Sequence, residues 1–545
     1  MYIDIPFEHL QSIGETLLKK GFEAESKYFL REHYGRQDSK VKIKIEGSVT
    51  VEFLEALEEI AIESSLRGLL TQTRQSLRLL NDPNKETIVN LKTFETGLIN
   101  YLSSNAIHGW VFHFDLTENY TPYVVSNISY TPADPRSGSE QYVTVCMEAN
   151  SPRSESSSRR GSESSMVFRM GDVKGLTIPQ ALAAKRYFKE SDELVASYRE
   201  SMKTYLNFQP MFGKQFVGKG MVKKSDGWNS ERIYLDGKKR IKMVNDDPIT
   251  GDTSRFTTHT EYWFWENKNV DEKLFTEIPY HPYIRMFDLN NHQHYWVLAD
   301  RLSPYQYDNT VGDKLVLPDE QRDLIDILVE DMDVIVDDIV EGKSGGTTIL
   351  CLGEPGVGKT LTAEVYSEIV EKPLYRVHSG QLGTNPDKIE ERLETILTRS
   401  ENWGSICLID EADVYIRRRD NSMNHNAIVA AFLRKLEYFN GLLFLTTNRS
   451  DDVDDAIKSR AMAIVKYEKP KANELKRIWQ TLSQQFGMDL KDDVIDQLVE
   501  HYPKIVGRDV KELLKLAKRY HNRKTRPLDL ETFRHCAIFR GIEHR

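Results

Sequence analysis

The stretch Gly353-Glu354-Pro355-Gly356-Val357-Gly358-Lys359-Thr360 constrains the fold of this chain more than any other feature. It fits the whole phosphate-loop pattern G-x-x-x-x-G-K-[ST]. Such an octet needs a strand to deliver it and a helix to carry the chain away. TTILCL, just before it, is a short apolar run that reads as a buried strand, and LTAEVYSEIV, just after it, can form a helix. Glycines let the backbone wrap closely round an anion, at the positive end of the helix dipole. Lys359 is expected to reach the β- and γ-phosphates of ATP, and Thr360 to ligate Mg2+. With Leu361, the next residue, the octet is the expected nucleotide-binding run.

Two more apolar runs end in polar residues of the right kind. Ser405-Ile406-Cys407-Leu408-Ile409 leads into Asp410 and Glu411, and LLFLTT leads into Asn448. In open α/β sheets, ligands bind at the carboxyl ends of the strands, so these residues should lie beside the phosphate loop. Asp410 is expected to hold Mg2+ through water, and Glu411 to polarise the attacking water. Asn448 can hydrogen-bond that water or the γ-phosphate. Strand-like and helix-like segments alternate from about residue 312 to 470. Such alternation predicts an α/β fold, an αβα layering on a parallel sheet. After Pro470 the strand patterns stop. Leu475, Ile478, Trp479 and Leu482, then Val510, Leu513, Leu514 and Ala517, follow helical spacing, so residues 471–545 should form a helical lid.

GEPGVGKT, ICLIDEAD, LTTN and DDAIKSR occur in the order and spacing of the AAA ATPase family, and the resemblance covers about residues 312–545. LGTNPDKIEERL, WGSICLIDEADVYI and YFNGLLFLTTNR are especially similar to fungal-type members with a large N-terminal region. The resemblance implies that Asn448 is sensor 1 and that Arg460 is the finger entering a neighbouring subunit's site, with Arg449 as competitor. Arg508, in Val506-Gly507-Arg508-Asp509-Val510, matches sensor 2. It further implies a ring, a homo-hexamer in many relatives. Ser379–Thr384 is the stretch equivalent to a substrate-gripping loop, but Gln381 stands at its aromatic position. That disfavours processive threading, unless Tyr415 supplies an aromatic instead.

The first 310 residues carry no motif that converts into chemistry. Residues 1–110 read as mainly helical and 111–310 as an α+β region. Residues 151–165, SPRSESSSRRGSESS, contain no apolar side chain and read as a flexible loop. A helix is expected over about 179–205, and a strand pair within HPYIRMFDLNNHQHYWVLADRL. The aromatic run Tyr262-Trp263-Phe264-Trp265 reads as a buried strand in preference to a substrate-gripping surface. His281, His292 and His294 read as polar surface residues in preference to metal ligands.

Composition narrows the function. Lys and Arg number 73 against 83 Asp and Glu, a formal charge of −10, so the whole chain is no general polyanion binder. Arg417–Arg419 and residues 518–526 are local basic runs that leave a nucleic-acid contact open but disfavoured. Four scattered cysteines argue against a disulfide framework. No apolar run nears the ~18–20 residues of a membrane span, and the start lacks a signal pattern. A soluble intracellular protein, cytoplasmic by default, is expected. The reading is an ATP-hydrolysing protein that remodels, unfolds or disassembles a protein client selected by its N-terminal region. The alternatives are a nucleic-acid-linked motor or loader and a nucleotide-dependent scaffold with low turnover.

Overall fold

The computed structural model describes the chain except for residues 1, 8–9, 36–39, 45–50, 61–63, 116–117, 137, 152–161, 225–231, 236–240, 248–257, 267, 331–345, 384, 525 and 543–545. Most of the loop expected at 151–165 lies outside the described residues, and 162–165 begin a strand. Two compact units divide the chain: residues 1–206 with 251–283, and residues 207–250 with 284–545. Residues of the expected 111–310 region therefore fall in both.

In the first unit, helices such as Leu10–Lys19, Ser64–Asn81 and Leu91–Ser103 precede a five-stranded antiparallel sheet. Its strands are Trp110–Phe114, Tyr120–Thr131, Tyr142–Ala149, Ser162–Arg169 and Tyr187–Lys189. Strict alternation in YVTVCMEA, buried at every second residue, sends Val143, Val145 and Met147 into a core with Phe94 and Phe168. The single helix expected over 179–205 is in fact two, Ile178–Ala184 and Asp192–Phe208. Arg186 takes a left-handed backbone (φ 66°) between them, and a short edge strand follows.

The aromatic run at 262–265 is not a strand. Trp263–Glu266 is a single helical turn, which sends Trp263 outward at 77% exposure and Trp265 inward. Trp265 stacks on Phe275 at 3.9 Å between ring centroids, and its indole donates to the Val125 carbonyl at 2.9 Å. His281 is likewise buried, not on the surface, and its Nε2 bonds the Pro122 carbonyl.

The second unit holds two sheets. The first is antiparallel and combines β1 (Gln215–Gly218), β2 (Gly220–Lys224), β3 (Arg232–Leu235), β4 (Ile241–Asn245), β5 (Tyr283–Asp288), β6 (Gln293–Leu298) and β7 (Leu302–Pro304), in the order β3-β2-β6-β5-β4-β1-β7. The expected strand pair is β5 and β6. Helix α1 (Asp319–Glu330) then leads to a parallel sheet of β8 (Thr347–Gly353), β9 (Leu374–His378), β10 (Ile406–Asp410), β11 (Leu442–Thr447) and β12 (Ala463–Tyr467), in the order β9-β10-β11-β8-β12. All its pairings are parallel. Between these strands run α2 (Lys359–Ile369), α3 (Pro386–Trp403), α4 (Met423–Leu436) and α5 (Asp455–Arg460). Strands β8, β10 and β11 are buried on both faces, hence their unbroken apolar sequences. The chain ends in four helices, α6 (Ala472–Gln485), α7 (Asp492–His501), α8 (Gly507–Lys524) and α9 (Leu530–Ile538), around Trp479, Leu513 and Phe533.

The antiparallel sheet shares a core with the parallel one. Val244, Phe287 and Leu289 pack in one cluster with Tyr375, Leu393 and Trp403. Arg399 lies over the Phe287 ring at 4.6 Å and donates to the Tyr375 hydroxyl at 3.0 Å. Asp246 accepts from the Trp403 indole at 2.9 Å and pairs with His294 Nε2 at 2.7 Å. His294 is thus buried in a hydrogen-bonded node, against its expected surface role. Gly213 sits so close to Trp403 that a Cβ there would fall 2.9 Å from the tryptophan backbone.

Candidate nucleotide site

Strand β8 delivers the loop at the carboxyl edge of the sheet, and α2 begins at Lys359 with Gly358 as its cap. Gly356 and Gly358 adopt φ of 88° and 112°, open to glycine and strained for other residues. Gly356 also faces the lid: a Cβ there would meet Arg508 Cβ at 2.9 Å. Glu354 pairs with Lys469 at 2.9 Å.

Lys359 is 6% exposed, and its ammonium donates to three oxygens: the Gly353 and Glu354 carbonyls at 2.7 Å each and Asn448 Oδ1 at 2.9 Å. Burial lowers its pKa. The loop lysine and the amide at the end of β11, 89 residues apart in sequence, are therefore in direct contact.

Asp410 ends β10. Its Oδ1 accepts from Thr360 Oγ1 at 3.0 Å and Thr446 Oγ1 at 2.6 Å, and its Oδ2 from Arg376 Nη2 at 2.6 Å. Burial pushes this carboxyl up, but the hydrogen bonds from Thr446 and Arg376 outweigh it and hold the pKa below the ordinary carboxylate value. Glu411, the next residue, is exposed and has a left-handed backbone (φ 53°), unusual for a glutamate. Its amide donates to Thr446 Oγ1 at 3.0 Å, which fixes the turn that projects its side chain from the strand end.

Arg508 opens α8, and its amide donates to the Gly356 carbonyl at 3.3 Å, so lid and loop touch through the backbone. A cleft of about 1500 Å³ lies between the strand ends and the lid. Pro355 through Leu361, Asp410, Glu411, Asn448 and Arg508 all line it. Gly353 and Glu354 stand behind the lining and hold Lys359 through their carbonyls.

Arg460 does not belong to this group. It ends α5, with its guanidinium 3.5 Å from Glu437 and bonded to its own helix at the Ala456 carbonyl. Arg449 is exposed and 3.9 Å from Asp452, also away from the cleft lining. Tyr415 is no loop aromatic: it is 1% exposed, stacks on Phe432, and donates to the Ser379 and Gly383 carbonyls. Leu382 is fully buried, Gln381 is exposed, and Thr384 lies outside the described residues. Each member of the basic triplet faces an acid: Arg417 with Asp420, Arg418 with Asp455, and Arg419 with Asp454.

Sequence reasoning missed three residues that line the cleft: Arg376 and Thr446, which bond Asp410, and Glu364, which accepts from Arg376 Nη1 at 3.3 Å. A guanidinium in the otherwise apolar run LYRV was the one available signal for Arg376. Thr446 and Glu364 look like ordinary strand and helix residues until the strands are placed side by side.

The site's oxygen donors, a threonine hydroxyl and a carboxylate 3.0 Å apart, suit a hard cation such as Mg2+. Residues 349–469 match the family model described as "ATPase family associated with various cellular activities (AAA)". The chain carries an AAA domain.

Relatives of this AAA domain include a 26S proteasome regulatory subunit homologue from Methanothermobacter marburgensis, 29% identical over 176 residues, covering 30% of this chain and 46% of that protein. An uncharacterised AAA family ATPase, y4kL, of Sinorhizobium fredii is 30% identical over 134 residues, or 23% of this chain and 39% of that protein. The chain thus spans less than half the length of these curated relatives. Among solved structures, the FIGL-1 AAA domain in complex with ADP is similar at 19% identity and a TM-score of 0.35, covering 43% of this chain and 84% of that one. Among the described residues, no helix is long and apolar enough to cross a membrane.

Proposed function

We propose that this chain binds ATP with Mg2+ in the cleft and hydrolyses it, and that it uses the cycle to remodel a protein client within a ring of like subunits. The observation that carries this reading is the meeting of Lys359, Thr360, Asp410, Glu411, Asn448 and Arg508 around one cleft from four separate stretches of chain. Lys359 already points its ammonium at oxygens, and in the loaded site it exchanges those carbonyls for phosphate oxygens. Thr360 and Asp410 would hold Mg2+, which supplies neutralisation of phosphate charge. Glu411, solvent-facing at the strand end, orients the attacking water and accepts its proton. Asn448, freed from Lys359, positions the same water. Arg508 adds a cation from the lid, so that lid and loop respond together.

Arg460 is the proposed finger toward a neighbouring subunit. Its position outside this chain's cleft suits a group that acts in trans. The N-terminal unit is the proposed client-selecting part. The paired state of Arg417–Arg419 speaks against phosphate tracking by that run.

The test is turnover of the full chain against Glu411→Gln, with and without added protein clients and nucleic acids. The variant should bind ATP as the wild type does and turn over about 10²–10⁴ times more slowly. Wild-type turnover no faster than the variant's would favour the scaffold reading. Stimulation by nucleic acid alone would favour the motor or loader.

A further inference from the structure

We propose that Arg376 is a positioning residue that competes with the divalent cation for Asp410, so that it sets how strongly nucleotide binding depends on Mg2+. The proposal deepens the ATP-binding reading above and rests on it.

Arg376 lies on β9 and pairs with Leu408 of β10, two residues before Asp410, so its side chain and that of Asp410 emerge on the same face of the sheet. Its Nη2 donates to Asp410 Oδ2 at 2.6 Å, and its Nη1 to Glu364 Oε1 on α2 at 3.3 Å. Its Nε is buried with no hydrogen-bond partner among the described residues. Among the described residues, two acids, one on each side, hold this guanidinium, and both line the cleft with it. Asp410 Oδ1 is already shared by two hydroxyls. Oδ2 is held by Arg376, so a cation or its water shell arriving at Asp410 meets a carboxylate already partnered on both oxygens.

Two electrostatic consequences follow from that geometry. A fixed positive charge beside the carboxylate repels an arriving dication and neutralises the charge that would attract it. The same charge lies within the cleft that receives the triphosphate, and it offsets part of the phosphate charge when no metal is bound. Both effects act in one direction: they shrink the difference between nucleotide affinity with Mg2+ and without it. A neutral residue at 376 should therefore widen that difference.

The experiment measures equilibrium binding of a fluorescent ATP analogue to the full chain in saturating Mg2+ and in EDTA. Its readout is the ratio of the two affinities, which needs no turnover. Arg376→Gln should raise the ratio about tenfold. Arg376→Met, which keeps the apolar stem and loses the charge, should do the same and serves if the first variant fails to fold. Arg376→Lys, which keeps the charge, should stay within about threefold of the wild type. A ratio that is unchanged or lower in the neutral variants overturns the proposal, as does a lysine variant that behaves like them. Wild-type protein that binds no nucleotide under either condition overturns the phosphate-loop reading itself, and the two failures are thereby distinguished.

Discussion

Lys359 shows how much a single side chain carries here. Its ammonium is buried and held by two carbonyls and an amide oxygen. Charge-assisted hydrogen bonds are each worth about 1.5–3 kcal/mol. Lys359→Ala should therefore lower ATP affinity at least about a hundredfold, measurable by titration calorimetry. Unchanged affinity would mean that the loop does not take phosphate. The same residue scale explains what the sequence concealed. Lys359, Thr360 and Asp410 sit in motifs whose spacing announces them. Thr446 and Arg376 touch Asp410 only because β9, β10 and β11 lie side by side, and that juxtaposition has no local signature. Tyr415 illustrates the converse: beside an acidic pair it reads as a loop aromatic, but its hydroxyl is tied to two carbonyls below the surface.

Among the elements, the antiparallel sheet β1–β7 is the least expected part of the second unit. Its β-prone aromatic and aliphatic runs are enough to predict the β5–β6 pair, but not the helices on which it packs. The shared core of Phe287, Tyr375 and Trp403 joins it to the parallel sheet. Phe287→Ala should cost about 3–5 kcal/mol, read from denaturant unfolding, and should loosen both sheets together. A loss confined to one sheet would contradict a common core. The Asp246 node gives a pH test. Burial raises the Asp246 carboxyl, but its hydrogen bonds from His294 and Trp403 bring it below the ordinary value. A carboxyl depressed in the folded state stabilises the fold above its unfolded pKa of ~3.9, and that stability is lost as pH falls through the lower folded value. Thermal melts across this acid range should show a shallower acid limb for Asp246→Asn than for the wild type. Coincident limbs would remove the node from the stability account.

For the whole molecule, the proposed cycle joins the AAA domain to neighbours and to a client. Arg460 is paired only weakly with Glu437, at 3.5 Å, and is one-third exposed, so it is free to exchange that partner for another subunit. Arg460→Ala should keep ATP binding and lose about 10³-fold or more in turnover. Mixing it with Glu411→Gln protein should restore part of the activity through mixed interfaces. Full activity of Arg460→Ala alone would move the finger elsewhere. The parallel sheet could be foreseen at this scale from apolar runs that end in Gly353, Asp410 and Asn448, and the lid from the helical spacing of apolar residues after Pro470. The assignment of residues 207–250 and 284–310 to the same unit as the AAA domain could not be foreseen, since it depends on contacts between segments more than 100 residues apart, such as Trp403 with Asp246.

The claim on which all of this depends is that the loop at 353–360 grips a triphosphate beside a metal held by Thr360 and Asp410. A high-resolution structure of the full chain with a non-hydrolysable ATP analogue and Mg2+ tests it most directly. The account predicts phosphate oxygens on the Gly356–Thr360 amides, Lys359 turned from Asn448 to the phosphates, and the ion beside Thr360. An empty cleft at saturating analogue, with Lys359 still bound to Asn448, would contradict it.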